Sequence, residues 1–277
     1  MQGPSAKVRH YQVGTIRITR VVEFSQVLPA PGLLLGATDM AVRKHAPWLA
    51  PHFIDDHARL LLNFQAFCIA HGDRRIIVDT CVGNDKQRPI PDFHERTGDF
   101  VERLTEAGFG PGDVDTVLCT HLHVDHVGWN TRRVNGRWVP TFPDARYLFS
   151  KRDLEHFESN TDFFGDGYGD SVKPVLEAGL ADAVEMDHRI DASIWLEPTP
   201  GHSPGHVSVR LCSEGVQAVI TGDLMHHPVQ CAHPEWPMLV DVDREQARET
   251  RERFLASVAE QPVLVIGLQS GAGGTAV

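Results

Sequence analysis

The sequence predicts a layered α/β fold in one domain, on three observations. Short apolar runs with strand character alternate with helical segments, the pattern of sheets covered by helices. The 277 residues are 42% hydrophobic and 23% charged, a globular balance with enough apolar material for a core. No repeat or linker divides residues 1–277, and the length suits a single layered domain.

Residues 8–28 alternate apolar and polar around Gly14-Thr15, which predicts a β-hairpin. Residues 38–50 read as helix, stopped near Pro47 and Pro51. From Leu60 to Thr80 the spacing predicts two strands about a His71-Gly72-Asp73 turn. A helix is expected over 95–108, ended by Gly108, and then a short buried strand over 114–120. Asn135-Gly136 between strand-like flanks signals a second hairpin. Residues 146–150 read as strand and 151–159 as helix. Residues 171–180 read as helix too, with Pro174 confined to the first turn. A strand over 189–200 runs into "GHSPGH", and two more, over 206–212 and 216–223, flank Ser213-Glu214-Gly215. Residues 241–260 form the longest predicted helix and 263–267 the last buried strand, ahead of the small-residue tail "SGAGGTAV".

A net charge of −11 argues against a nucleic-acid backbone as ligand, because that binding needs clustered Lys and Arg. The first twenty residues lack the apolar stretch of a secretion signal. No run approaches the roughly 18 apolar residues of a membrane span. Cys68, Cys81, Cys119, Cys212 and Cys231 are odd in number, widely spaced and free of any C-x-x-C pair. Buried reduced thiols in a cytoplasmic protein are the expectation.

The stretch "THLHVDH" holds His121, His123, Asp125 and His126 within six positions, directly after a buried strand. Imidazoles this close repel once protonated, so a shared cation is the economical reason to crowd them. Imidazole nitrogen and carboxylate oxygen suit zinc, and also iron or manganese. One metal cannot easily take all four from so short a loop, whereas two adjacent metals can share them. Downstream, His202 and His206 in "GHSPGH" and Asp223 in "ITGD" follow strand-like runs. His206 also reads as a surface residue or as support for a ligand, and a Gly-Asp after a strand is alone a weak signal.

H-x-H-x-D-H, then Gly-His-Ser-Pro-Gly-His, then a strand-ending Gly-Asp, in this order, resembles the metallo-β-lactamase-fold hydrolase superfamily. The likeness runs from "IIVDT" at 76–80 to "VLVIG" at 263–267. It implies an αββα sandwich, two mixed β-sheets face to face with helices outside, as one metallo-β-lactamase-like domain over 1–277. Residue by residue, it implies His121, His123 and His202 on one metal. Asp125, His126 and a bridging Asp223 would sit on the other. Asp79 would orient a ligand. Two zinc ions are expected, with manganese or iron as substitutes. The family pattern has a further histidine after the last strand, and here Gln269 stands about there. The second metal is therefore expected to bind more weakly, with His226, His227 or His233 as candidates to compensate.

Metal-assisted hydrolysis is the implied chemistry, with Asp125 orienting the nucleophile and carrying a proton. His226, three residues after the bridging aspartate where related lactonases place a tyrosine, is expected as an electrophilic or proton-donating helper. The long segment ahead of the first motif resembles the lactonase and methyl-parathion-hydrolase-like branch. That favours small ester, lactone or organophosphate substrates, with Phe24, Leu33, Leu34, Trp129 and Phe164 as candidate lining. A β-lactamase or thioesterase activity is the hydrolytic alternative. A metal-binding member that lost catalysis with its last histidine is the non-catalytic one, and an iron-dependent redox enzyme the third. No nucleic-acid or membrane partner is expected, and a homodimer is compatible with the sequence.

Overall fold

Residues 8–160, 164–267 and 269 are described by the computed structural model; the tail at 270–277 lies outside them. The alternation at the start becomes β1 (Val8–Val13) and β2 (Ile16–Leu28), antiparallel about Gly14, whose φ of +54° is left-handed. Two short helices follow, α1 (Asp39–Arg43) and α2 (Ala46–Leu49), where one was expected. Pro47 belongs to the first turn of α2, where its missing N–H costs nothing. Next come β3 (Leu60–His71), β4 (Arg74–Val78), α3 (Phe100–Glu106) and β5 (Thr116–Leu118). The expected helix over 95–108 starts late because Glu95 has a positive φ, outside the helical region.

The next segment contains α4 (Val124–Val127), the hairpin β6 (Thr131–Val134) with β7 (Arg137–Pro140), β8 (Arg146–Ser150) and α5 (Lys151–Ser159). A π-helical turn over Tyr168–Val172 leads into α6 (Lys173–Glu177), with Pro174 in its first turn. Then follow β9 (Ala181–Val184), β10 (Ile194–Pro198), β11 (Val207–Ser213), β12 (Val216–Ile220), α7 (Arg244–Val258) and β13 (Val263–Ile266). Asp243 caps α7 by accepting from the Gln246 N–H. Among the described residues no helix is long and apolar enough to cross a membrane.

The chain forms two compact units. One comprises residues 24–63 and 186–267 with Gln269; the other comprises 8–23, 64–160 and 164–185. The second unit carries a mixed sheet in the order β1-β2-β3-β4-β5-β8-β9, parallel from β4 to β9. Its β5 is buried throughout, as a strand in the middle of a covered sheet must be. Phe100, Phe109, Val117, Phe142 and Tyr147 lie in its core, as do Cys68 and Cys119. Trp129, expected as pocket lining, is core too and stacks on Phe100. The first unit carries the sheet β10-β11-β12-β13, antiparallel except for the parallel pair β12-β13. Leu33 and Leu34, also expected as lining, pack into this unit's own core with Leu49, Phe53 and Trp236.

Buried Glu23 organises the second unit next to its histidine-rich loop. It accepts from Val82 N at 2.9 Å, Gly83 N at 3.2 Å and Trp129 Nε1 at 2.7 Å. Burial pushes its carboxyl above the ordinary value, and these hydrogen bonds only partly oppose that. Glu23→Ala would orphan three buried donors, each worth about 1–3 kcal/mol. A loss of about 3 kcal/mol in urea unfolding is expected, and a loss under about 1 kcal/mol would contradict this role.

Candidate metal centre

In the second unit the signature loop is fixed by backbone before any side chain acts. The strand β5 ends at Leu118, and the chain turns through Thr120 into α4, whose N-cap is His123 in extended conformation. Thr80 N donates to His126 O at 2.7 Å, Gly128 N to Cys81 O at 2.8 Å and Trp129 N to Thr80 O at 3.0 Å. The opposing 79–83 segment is itself contorted, with Asp79 at φ +58° and Cys81 at +53°. A Cβ on Gly128 would fall 1.9 Å from Val82 O, so only glycine lets the two backbones approach this closely.

Asp79 ties the loop's side chains together. It accepts from Thr120 N at 2.6 Å, Thr120 Oγ1 at 2.7 Å and His126 Nδ1 at 2.8 Å. A hydroxyl has one proton, and Thr120 gives it to Asp79. His121 Nδ1, 3.1 Å from Thr120 Oγ1, is therefore the donor in that pair. Both imidazoles thus turn a lone pair, on Nε2, away from their supports. His121 Nε2 comes within 3.0 Å of His123 Nδ1, and the His121 and His126 rings lie 4.0 Å apart. Asp125 Oδ2 lies 3.5 Å from His126 Nε2. His121, His123 and His126 are buried and Asp125 is partly exposed. His123 meets the edges of Phe157 and Phe164, which places Phe164 beside the loop.

In the first unit, His202, Asp223 and His226 converge. His202 Nε2 lies 3.7 Å and His226 Nε2 3.0 Å from Asp223 Oδ2, and ligand atoms of the three all fall within 4.8 Å of one another. His202 Nδ1 donates to Asp241 Oδ1 at 2.7 Å. Burial pushes the Asp241 carboxyl up, but the hydrogen bond and charge of His202, with His226 and Arg251, hold it below its ordinary value. Asp241 accordingly stays an acceptor and keeps the lone pair of His202 on Nε2. Gln269 Nε2 donates to Asp223 Oδ2 at 2.9 Å.

His206 is not arranged as a ligand. Its Nε2 accepts from Asp223 N at 2.9 Å and its Nδ1 donates to Thr199, so both nitrogens are spent on holding the Asp223 turn. His227 caps the turn Pro228–Cys231 and reaches Phe53 O at 2.8 Å. Burial, against that hydrogen bond, pushes its imidazole down to about 4 and keeps it neutral. His233 lies instead against His45 and Trp236. Sequence reasoning missed Asp241, which belongs to no motif, and Thr120, which opens the quoted stretch but offers no metal-ligating imidazole or carboxylate.

The donor chemistry fits a divalent metal. Zinc–nitrogen bonds of about 2.0–2.1 Å place tetrahedral ligand atoms roughly 3.3 Å apart. The separations of 3.0 Å within the second unit and 3.0 and 3.7 Å within the first bracket that value. Supports on the far nitrogens of His121, His126 and His202 are what metal-ligating imidazoles need to fix tautomer and direction.

Comparison with known proteins agrees. The model of the metallo-beta-lactamase superfamily matches residues 65–266. The chain is similar to the N-acyl homoserine lactonase AttM of Agrobacterium fabrum, 33% identical over 118 residues, 40% of this chain and 41% of that protein. The match thus spans about two-fifths of that relative's length. Among solved structures, the hydrolase AbOPH of the beta lactamase superfamily superposes with a TM-score of 0.80 at 23% identity, over 98% of this chain and 93% of that one. AidC, described as a dizinc quorum-quenching lactonase in complex with a product, gives 0.76 at 17% identity, over 96% and 92%. At these identities the two structures establish the fold, which is that of metallo-β-lactamase-type hydrolases.

Proposed function

This chain belongs to the metallo-β-lactamase superfamily, and from that premise we propose that it is a metal-dependent hydrolase of lactones and related esters. The single observation that supports the proposal is the pair of donor sets, in which the imidazoles of His121, His126 and His202 are braced from behind. His121, His123, Asp125 and His126 in the second unit, and His202 and Asp223 in the first, are the proposed ligands of divalent ions, zinc by preference. We propose that both units belong to one catalytic domain. Such ions supply Lewis acidity and lower the pKa of water toward about 7.

The chain's own residues do the rest. Asp79 and Asp241 keep His126 and His202 in the tautomer that carries its lone pair on Nε2. Asp125 would orient the attacking water and hold its proton on a carboxylate oxygen until the leaving alkoxide takes it. Phe164, next to His123, would offer an apolar face to an acyl chain or aryl group. Lactones come first because AttM and AidC are both described as lactonases. The acidic charge and the separate thiols keep a small molecule in a reducing compartment as the proposed setting. A homodimer remains a proposal for size-exclusion measurement.

The test is a panel of N-acyl homoserine lactones, aryl esters and one phosphotriester, given to zinc- and manganese-loaded protein. At least one lactone is expected to reach a kcat/KM above about 10⁴ M⁻¹s⁻¹. Metal-loaded protein that turns over nothing in the panel would sink the proposal.

A further inference from the structure

His226 is fully buried, and neither of its ring nitrogens makes a hydrogen bond to a described residue. A buried polar group left unsatisfied costs about 1–3 kcal/mol; among the described residues Nδ1 has no hydrogen-bond partner and Nε2 meets only the Asp223 carboxylate, as an ion-pair contact, so the imidazole calls for a further partner. Its position is not slack. His226 N donates to Gln230 Oε1 at 2.8 Å, and Gln230 Nε2 donates to Trp236 O at 2.9 Å. The neighbouring His227 caps the same turn. The ring is thereby held with Nε2 3.0 Å from Asp223 Oδ2 and its centroid 4.7 Å from that of His202.

We propose that His226 is itself a metal ligand, completing with His202 and Asp223 a coordination triad contained within the first unit. Gln269 is then a brace and not a ligand. Its amide nitrogen, facing Asp223 Oδ2, carries protons and has no lone pair for a cation, while its backbone oxygen accepts from Asn63 N at 3.2 Å. The imidazole that completes the donor set comes from three residues after Asp223, not from the end of the last strand. With Nε2 committed to a cation, His226 influences the reaction through the metal, instead of donating a proton to substrate as its sequence position suggested. This inference rests on the reading that the centre holds divalent ions, and the experiment separates the two.

Apoprotein prepared with chelator is titrated with Zn²⁺ against a chromophoric competitor, and separately with Co²⁺ read by visible absorption. Wild type is expected to bind about two Zn²⁺ per chain. Replacing a residue that merely supports a ligand costs about 10–100-fold in affinity, so His226→Ala should weaken one site by at least about 100-fold and alter the Co²⁺ spectrum. Gln269→Ala should weaken it by no more than about tenfold. His226→Asn, closer in volume, repeats the test where the alanine variant folds poorly. On wild type alone, Zn²⁺ should slow exchange of the His226 ring C2 proton, read by mass spectrometry. Wild-type affinity in both His226 variants, or an unchanged exchange rate, overturns the inference. Failure of wild type to bind Zn²⁺ at all overturns the proposed function beneath it.

Discussion

His123→Ala should reduce lactone hydrolysis by about 10³-fold or more while the protein stays folded. His123 is 5% exposed, its Nδ1 3.0 Å from His121 Nε2, and its backbone rather than its side chain starts α4. Removing the imidazole therefore deletes a donor without unpinning the loop, which the Thr80, Gly128 and Trp129 backbone bonds hold. A metal acting as Lewis acid is worth several kcal/mol in the transition state. At 1.36 kcal/mol per tenfold, about 4 kcal/mol gives the expected 10³-fold. Metal content by mass spectrometry should fall alongside kcat/KM. Activity within tenfold of wild type would mean that the loop has been assigned the wrong chemistry.

The second large effect is expected at Asp241, which touches two buried groups of opposite consequence. One oxygen accepts from His202; the other accepts from Met238 N at 2.9 Å and faces Arg251 Nη2 at 3.7 Å. Truncating one member of a buried ion pair costs about 3–5 kcal/mol. Arg251 also donates to Leu224 O and Pro234 O, so the lower end, about 3 kcal/mol, is expected for Asp241→Ala in chemical denaturation. Zinc affinity should fall by about 10–100-fold as His202 loses its orientation. Asp241→Asn keeps an acceptor oxygen and should recover part of both. A variant with unchanged affinity would show that His202 needs no such support.

The sequence exposed those parts of the site that are local in the chain. Asn135-Gly136 announced its hairpin because both residues adopt positive φ. H-x-H-x-D-H was readable because four donors arrive in one turn. Asp241 was not, since its partner lies 39 residues away and nothing near it marks a ligand's support. His206 read as a surface residue or as support for a ligand, and its bond from the Asp223 N–H fits the second of these. Strand β9 went unnoticed because "ADAV" is short and mostly part-exposed, with little apolar periodicity. The split of α1 from α2 turned on the place of Pro47 in a first turn, a detail of backbone geometry that composition does not carry.

The contact between Gly128 and Val82 bears on how this scaffold could be redesigned. With no space for even a methyl group between them, the donor-bearing loop and the 79–83 segment behave as one interlocked cassette. A designer wishing to graft this chemistry onto another frame must transplant both strands of that cassette together, spacing included. Donor side chains copied without their backbone counterpart would arrive with nothing to aim them.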